Sequence, residues 1–158
     1  MKILVINPGS TSTKIAVYDD EQPILLRNIR HTVEELSQFE HIMDQHTFRR
    51  DIVVDELDRL GVTFNFDAII GRGGLAKPVG GGVYEVNEQM CNDMYHAKRQ
   101  HVCNLGCIIA YELARNVSGC RAFIADPAVV DEMEDVARIS GSPLMPRVPV
   151  WHALNQRA

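Results

Sequence analysis

The sequence predicts an α/β domain built on a mixed sheet, and three features of the chain support this class. Two β-branched apolar runs open the chain with only a short polar segment between them, which predicts an antiparallel hairpin. Strand-like and helix-like patterns alternate through the second half, as crossover connections between parallel strands require. The chain has 158 residues, of which 46% are hydrophobic and 23% charged, and this composition fits one folded domain.

Three strands are predicted in the opening segment. The first is the apolar run at residues 2–6, which is followed at once by turn-forming residues. The second is expected at 14–18 and the third at 23–29, with an acidic turn between them. Residues 7–13 contain no side chain suited to a core, so we expect them to form a loop between the first two strands.

Two helices are predicted to follow the third strand. Thr32 with Glu35 three residues later has the pattern of a capping box, which favours a short surface helix. A longer helix comes next, and Gly61 is expected to end it. Apolar residues recur along this helix at helical spacing, which predicts one buried face. That face comprises Phe48, Ile52, Val53, Leu57 and Leu60.

The second half alternates between the two kinds of element, which predicts a mainly parallel region attached to the opening hairpins. Helices there are recognised by apolar residues at helical spacing or by a capping residue, and strands by short apolar runs. The expected elements are strands at 67–70, 83–86 and 121–125 and helices from Asn87 toward Gln100, at 104–116 and over the last eight residues.

Charge and cysteine usage exclude several classes of function. The chain has 16 basic and 21 acidic residues, a formal net charge of -5, and its basic residues are scattered, which disfavours nucleic-acid binding. The early apolar run is too short for a signal peptide or a membrane span, so we expect a cytoplasmic protein. The four cysteines form no CxxC pair and are predicted to be reduced thiols. A zinc site at His101, Cys103 and Cys107 is conceivable, but the spacing matches no zinc motif.

Residues 7–14, NPGSTSTK, are the first candidate for a binding site. A buried strand that runs into such a loop offers backbone N–H groups and hydroxyls at a sharp turn, with Lys14 just beyond. This combination can surround phosphate oxygens and balance their charge. The GxxxxGK[ST] pattern of a P-loop is absent. The alternative is a plain tight hairpin, because Ser, Thr and Gly are common in turns.

Arg72 and Asp126 each follow a predicted buried strand, where the strand ends of a parallel sheet tend to meet ligands. A guanidinium between glycines can hold a carboxylate or a phosphoryl group through two hydrogen bonds. A carboxylate at a strand end can hold Mg²⁺ through water. The alternatives are a surface arginine in a flexible loop and an acidic residue that begins a turn before Pro127. His101 and His152 are candidates for the same site, although histidines in such contexts are mostly structural.

Five ordered motifs along the chain resemble the butyrate kinase branch of the acetate and butyrate kinase family, within the sugar-kinase, Hsp70 and actin superfamily. The opening NPGSTSTK is similar to that family's first phosphate loop, and GRGGL at 71–75 is similar to its substrate-arginine region. The match continues through HVCNLG at 101–106, the tripeptide Ala125-Asp126-Pro127 and HALNQ at 152–156. The family's acetate branch typically opens with NAGSSS, so the opening favours the butyrate branch.

The resemblance implies a ribonuclease H-like, actin-like ATPase fold and an ATP-dependent kinase that converts butyrate, or a related short-chain fatty acid, to butanoyl phosphate and ADP with Mg²⁺. Family members have two related domains with the ATP site between them, and this chain resembles only the first. Residues 1–158 are therefore expected to be an N-terminal domain that is inactive alone. The full-length protein is expected to be a homo-oligomer that binds a small-molecule substrate, no nucleic acid and no membrane.

The resemblance also implies roles for particular residues. Ser10, Ser12, Lys14 and Asn7 would contact nucleotide phosphates or the water shell of the metal. Arg72 would hold the substrate carboxylate and the transferring phosphoryl group, and Asp126 would be the essential acidic residue near Mg²⁺, with Asn7 as a second residue at the metal. His152 would hydrogen-bond the transition state, and His101 would line the substrate site. Gly74 would leave space for an alkyl chain longer than that of acetate.

A second reading is a non-catalytic nucleotide-binding module, like relatives of actin or Hsp70 that use ATP to change the angle between domains. Such proteins share the phosphate loop and the opening hairpins. Arg72 and His152 separate the two readings, because an ATP switch needs neither a substrate arginine nor a group that stabilises the transition state.

Overall fold

The computed structural model describes residues 1–75 and 77–148, and it confirms the α/β class with one mixed sheet of six strands. The strand order is β3-β2-β1-β4-β6-β5. The first three strands pair antiparallel, β1, β4 and β6 pair parallel, and β5 pairs antiparallel with β6 at the edge. The strands are β1 Lys2–Pro8, β2 Ser12–Asp19, β3 Gln22–Arg30, β4 Ala68–Arg72, β5 Val83–Glu85 and β6 Arg121–Ala125.

Four α-helices accompany the sheet within the described residues. The most buried is α4, which packs against β4 and β6 and contacts α2 and α3 as well. Its sequence, NLGCIIAYELA, is apolar over most of its circumference, as expected for a helix covered on several sides. The helices are α1 Val33–Leu36, α2 Gln45–Arg59, α3 Glu88–Tyr95 and α4 Asn104–Ala114, with short 3₁₀ turns at Ile42–Asp44 and Asp135–Arg138.

Strand residues alternate between a fully buried face and a half-buried one. Leu4 and Ile6 of β1 are completely buried on the side that carries α4, whereas Ile3 and Val5 are partly exposed on the other side. The same alternation continues in β2, where Val17 is buried. The core thus lies between α4 and one face of the sheet, since side chains of a strand point alternately to its two sides.

The loop between β1 and β2 is shorter than the sequence predicts. The antiparallel ladder continues through the pairs Asn7 with Lys14 and Pro8 with Thr13, which leaves only residues 9–11 outside the strands. Within this turn the Gly9 N–H donates to the Ser12 carbonyl at 2.7 Å. The sequence predicts a longer loop because polar residues do not suit a core. Pairing between strand backbones nevertheless tolerates polar side chains at the end of a sheet.

Helix boundaries follow the capping signals. The Thr32 side chain and Glu35 form the predicted capping box of α1, and Asn87 accepts from the Met90 N–H at 2.8 Å to cap α3. Gly61 follows α2 with a φ of 68°, a left-handed conformation that favours glycine. Helix α3 ends at Tyr95 and does not reach Gln100. The helix predicted for the last eight residues lies outside the described residues.

None of the helices within the described residues is long and apolar enough to cross a membrane. The four cysteines are free thiols, as predicted.

Helix α4 approaches the ends of β1 and β4 through two glycines. A Cβ added at Gly106 would lie 2.6 Å from the Arg72 carbonyl oxygen and 3.3 Å from Pro8 Cδ, and one at Gly71 would collide with the Gly106 carbonyl. Backbone meets backbone here, so no side chain could move away to make room. The amino end of α4 is consequently held against the carboxyl ends of the central strands.

We expect Gly106→Ala to destabilise the fold by roughly 1 to 3 kcal/mol, the usual cost of overpacking. Gly141→Ala is the matched control, because no heavy atom lies within 4 Å of the Cβ it would add. The free energy of unfolding of both variants can be measured by urea denaturation. Equal values for the two would contradict the close packing of α4 on the strand ends.

Candidate active site

Strand pairing places the polar residues of three strand ends in one row. Asn7 opposes Lys14 on β2, and the parallel pairing of β1 with β4 brings Arg72 beside Asn7. Arg72 in turn opposes Ala125, so that Asp126 is the first residue past the end of β6. The row lies at the carboxyl ends of the parallel strands, the edge at which ligands bind in open α/β sheets.

A cavity of about 270 Å³ opens at this edge, between the β1–β2 loop and the amino end of α4. It collects six of the residues that the sequence predicts for the site, and no carboxylate is among its lining residues. Asp126 and Gly74 are not part of the lining, and His152 lies outside the described residues. The lining consists of Asn7, Pro8, Gly9, Ser10, Ser12, Lys14, Arg72, His101, Val102 and Cys103.

Two cations face this cavity without an acidic partner. Lys14 is exposed and Arg72 is half-buried, and neither side chain makes a hydrogen bond or an ion pair with any residue in 1–75 or 77–148. The protein as a whole carries a formal net charge of -5. Because the cations are concentrated where carboxylates are absent, the cavity attracts anions even though the net charge of the chain is negative.

His101 and Cys103 form a hydrogen-bonded pair at the entrance to α4. The Cys103 N–H donates to His101 Nδ1 at 3.3 Å, and the Cys103 Sγ lies 3.0 Å from the same nitrogen. Since Nδ1 accepts, the proton of the neutral ring is assigned to Nε2. Burial raises the pKa of the Cys103 thiol to about 11, so the thiol stays neutral and is unsuited to act as a nucleophile.

Within the described residues no group of three His, Cys, Asp or Glu side chains is placed to hold a metal ion. The zinc site conceivable at His101, Cys103 and Cys107 is therefore not formed. Oxygen donors do surround the cavity, namely the Asn7 amide and the Ser10 and Ser12 hydroxyls. This donor set fits Mg²⁺, which prefers oxygen and is commonly held through substrate phosphates and water with only one or two protein ligands.

Asp126 has a left-handed backbone and a bonded carboxylate. Its φ is 40°, a conformation that residues other than glycine seldom adopt, which stores strain at the end of β6. The Asp126 N–H donates to the Gly82 carbonyl at 2.9 Å, and its Oδ1 accepts from the Gly82 N–H at 2.8 Å. Asp126 thus tethers the glycine-rich segment 80–82, and its other carboxylate oxygen accepts no hydrogen bond from any residue in 1–75 or 77–148.

Gly74 does not leave the space that the sequence suggested for a substrate chain. A Cβ there would lie 2.7 Å from both Cα and Oδ1 of Asn104 and 2.8 Å from the Met94 sulfur. Asn104 is itself fixed, because its Oδ1 accepts from the Leu75 N–H at 2.9 Å and its Nδ2 donates to the Met94 carbonyl at 3.1 Å. The open side of Gly74 faces this packed interior, and the glycine is needed for packing.

A buried residue that was not predicted from the sequence supports the β1–β2 loop from inside the protein. Arg49 of α2 is completely buried, and its guanidinium donates to the carbonyl oxygens of Gly9, Ser10 and Ser12 at 2.9, 3.3 and 3.1 Å. A signal was present, because Arg49 stands four residues before the buried Val53 and therefore on the apolar face of the helix. Arginines at such positions are usually assigned to solvent.

A buried histidine completes the support of the loop. The His31 Nε2 lies 2.8 Å from Thr13 Oγ1, which also accepts from Arg49 at 3.1 Å. His31 Nδ1 is buried and has no hydrogen-bond partner within the described part of the chain. The pKa of His31 is lowered, mainly by burial and further by the charge of Arg49. The ring is accordingly neutral near pH 7 and can accept the Thr13 hydroxyl proton.

Comparison with solved structures shows that this chain shares its fold with part of two acetate kinases. The acetate kinase of Entamoeba histolytica superposes with a TM-score of 0.63 at 12% identity over 98% of this chain and 43% of that one. The acetate kinase of Porphyromonas gingivalis superposes with a TM-score of 0.62 at 15% identity over 99% of this chain and 46% of that one.

In sequence, the chain is a homologue of the N-terminal part of proteins named butyrate kinase. It is 66% identical over 158 residues to a probable butyrate kinase of Bacteroides thetaiotaomicron, of which it covers 45%, and 50% identical over 159 aligned positions to butyrate kinase 2 of Clostridium acetobutylicum, of which it covers 44%. The chain thus spans a little under half the length of these curated relatives. A comparison with models of protein families gives no match.

The lowered pKa of His31 predicts a loss of stability in acid. The unfolded chain takes up a proton near pH 6.5, the ordinary pKa of histidine, whereas the folded protein does so only at lower pH. The free energy of unfolding should therefore be fully retained above pH 6.5 and fall as the pH drops below it. His31→Gln should remove this part of the pH dependence in denaturation curves recorded from pH 8 to pH 5.

The exposed His41 offers a control for this experiment. His41→Gln is expected to leave the pH dependence as it is in the unmodified protein. An unchanged acid slope in His31→Gln would show that the buried ring is not the group responsible.

Proposed function

We propose that the protein is a kinase that transfers the γ-phosphoryl group of ATP to the carboxylate of a short-chain fatty acid such as butyrate, giving an acyl phosphate and ADP. The observation that carries the proposal is the cavity at the strand ends, whose lining includes Arg72, Lys14 and the serines of the β1–β2 loop. Neither cation has an acidic partner within residues 1–75 and 77–148. The names of the relatives at 50% and 66% identity support the class of reaction and the acid.

The chemistry needs little proton transfer. A carboxylate is already ionised at neutral pH, so its oxygen can attack the γ-phosphorus while the bond to the oxygen that bridges the β- and γ-phosphates breaks and ADP leaves. Catalysis then depends on holding two anions in line and on neutralising the charge on the transferring group. Both tasks require cations and hydrogen-bond donors at the reacting atoms.

Each residue of the cavity suits one of these tasks. Arg72 can donate two parallel hydrogen bonds to the substrate carboxylate or to the phosphoryl oxygens. Lys14 and the Ser10 and Ser12 groups suit the nucleotide phosphates. His101 lines the cavity, where its ring can hydrogen-bond an anionic ligand.

Mg²⁺ bound to the nucleotide would neutralise phosphate charge and help to hold the phosphates in line. Asn7 offers an amide oxygen inside the cavity. Asp126, next along the row of strand ends, offers a carboxylate oxygen that accepts no hydrogen bond from residues 1–75 and 77–148. We assign Asp126 to the organisation of the metal and its water and not to proton abstraction, because the attacking carboxylate has no proton to lose.

The chain supplies one side of this site. We propose that residues 1–158 act as the first domain of a longer kinase, since the curated relatives they match are more than twice as long. The groups that would bind adenosine and face the phosphoryl group from the other side belong to the remaining length of such proteins. His152 is proposed to act as a donor to the transition state in the assembled site.

Arg72→Ala is expected to lower kcat/KM for acyl phosphate formation on the order of 100-fold or more in the protein expressed from the complete reading frame, because charged hydrogen bonds to the transferring group are lost. Acyl phosphate is trapped as the hydroxamate, with MgATP and butyrate as substrates. Arg121→Ala is the control, since Arg121 lies at the opposite end of the neighbouring strand and pairs with Glu85.

Equal activity of Arg72→Ala and the Arg121→Ala control would overturn the proposed role. Binding of MgATP by the unmodified protein without any hydroxamate would favour the non-catalytic nucleotide-binding module, for which a substrate arginine has no use.

The 158-residue chain alone is expected to form no hydroxamate in the same assay, because it provides only one side of the cleft. Isothermal titration with MgATP serves as the companion measurement, in which weak binding through the loop is expected. Clear turnover by these residues alone would contradict the proposed division of the site between two domains.

A further inference from the structure

We propose that Arg49 is a positioning residue whose buried guanidinium holds the carbonyls of the β1–β2 loop inward and so turns the N–H groups of Ser10 and Thr11 outward as anion donors. The inference rests on the proposed function, since it explains how that loop is prepared for phosphate. The Arg49 side chain is completely buried, with an exposure of 0%, and does not itself line the cavity. It acts through the loop.

The hydrogen bonds of Arg49 reach three of the four carbonyls from Gly9 to Ser12, and the fourth, that of Thr11, accepts from the His31 N–H at 2.9 Å. Nη1 donates to the carbonyls of Gly9 and Ser12 at 2.9 and 3.1 Å, and Nη2 donates to the Ser10 carbonyl at 3.3 Å. Three carbonyl oxygens within four residues therefore converge on one cation. A plain hairpin turn lacks this convergence, because its carbonyl oxygens accept hydrogen bonds from backbone N–H groups or from water.

Peptide geometry converts these contacts into an orientation of the amides. The C=O of one residue and the N–H of the next point in opposite directions across a planar trans peptide. When the Gly9 and Ser10 carbonyls point at Arg49, the N–H groups of Ser10 and Thr11 must point away from it. Neither amide donates a hydrogen bond to any part of the chain that the structure describes. Both remain available to a ligand.

The charge of Arg49 is left unmatched inside the protein. Its remaining hydrogen bonds go to neutral groups: Gln45 Oε1 lies 3.1 Å from Nε and 3.0 Å from Nη2, and Thr13 Oγ1 lies 3.1 Å from Nη1. No ion pair of Arg49 is formed within residues 1–75 and 77–148. Burial lowers its pKa to about 10, so the group stays charged at neutral pH. An anion on the far side of the loop would supply the missing counter-charge across a layer of oriented peptides.

The fork shape of the guanidinium is required for this role. Five N–H donors in one plane reach several carbonyls at once, and Gln45 fixes the orientation of that plane by accepting from two of its nitrogens. A lysine has the charge but only three donors on a flexible stem. Arg49→Lys therefore separates the placement of the loop from the presence of a cation.

The test measures loop order and anion affinity in the same variants. Amide order parameters from ¹⁵N relaxation are recorded for Ser10 and Thr11, and affinity is measured by titration with inorganic triphosphate and Mg²⁺. In Arg49→Lys the order parameters should fall from about 0.85 to below about 0.6, and the dissociation constant should rise roughly tenfold as the amide donors to a charged group are lost. Arg50→Lys is the matched control, because Arg50 sits one residue along on the exposed side with Asp51 and Glu112.

Unchanged order parameters in Arg49→Lys would overturn the proposal, whether or not the affinity changes. If the affinity fell while the loop stayed rigid, Arg49 would act by its charge alone. If Arg49→Lys does not fold, Gln45→Ala decides, since it frees the guanidinium plane without removing the charge and should loosen the same two amides. Absence of triphosphate binding by the unmodified chain would refute the proposed function, while the order parameters would still decide the role of Arg49.

Discussion

The approach of α4 to the ends of β1 and β4 is the constraint on which the rest of the site depends. Gly106 and Gly71 let helix backbone meet strand backbone, and every larger residue would push the amino end of α4 away from the sheet. Because the helix begins there, His101 and Cys103 are brought to the same cavity as Arg72. A local packing requirement thus fixes the distance between two walls of a functional site.

The electrostatic character of the site follows from where carboxylates are absent. Acidic residues outnumber basic ones in the chain, yet none lines the cavity. Elsewhere arginines find acidic partners, as Arg50 does with Glu112 and Arg138 with Asp131. Arg72 and Lys14 form no such pair within residues 1–75 and 77–148, and unpaired cations beside a ligand-sized cavity are what a site for anionic reactants requires.

Strong local patterns made most of the fold predictable from the sequence. The capping box at Thr32, the Asn87 cap and the Gly61 stop each act within a few residues, and the structure contains all three. Strand lengths were less predictable, because the pairing of Asn7 with Lys14 depends on the partner strand and not on β-propensity. The order of the strands depends on contacts between segments that are distant in sequence. Only the combined pattern of strands and helices indicates that order.

The residues of the candidate site also differ in whether the local sequence or distant contacts determine their roles. Six of its proposed residues are recognisable because polar groups directly follow buried strands or precede a helix, and the structure collects them at one cavity. The role of Arg49 was not predicted and that of Gly74 differs from the prediction, because both depend on tertiary neighbours. An arginine on an apolar helix face is informative only once the loop carbonyls above it are known, and a glycine gives space only where no other atom already fills it.

The packing around Gly74 bears on how a fatty acid chain could be recognised. Asn104 and Met94 occupy the space beside that glycine, and most of the cavity lining is polar, with Pro8 and Val102 as its main apolar members. An alkyl chain gains binding energy only by leaving water for an apolar surface. In the proposed kinase this cavity therefore provides charge and orientation for the carboxylate and phosphates, and selection among acids by length has to come from apolar groups outside its lining.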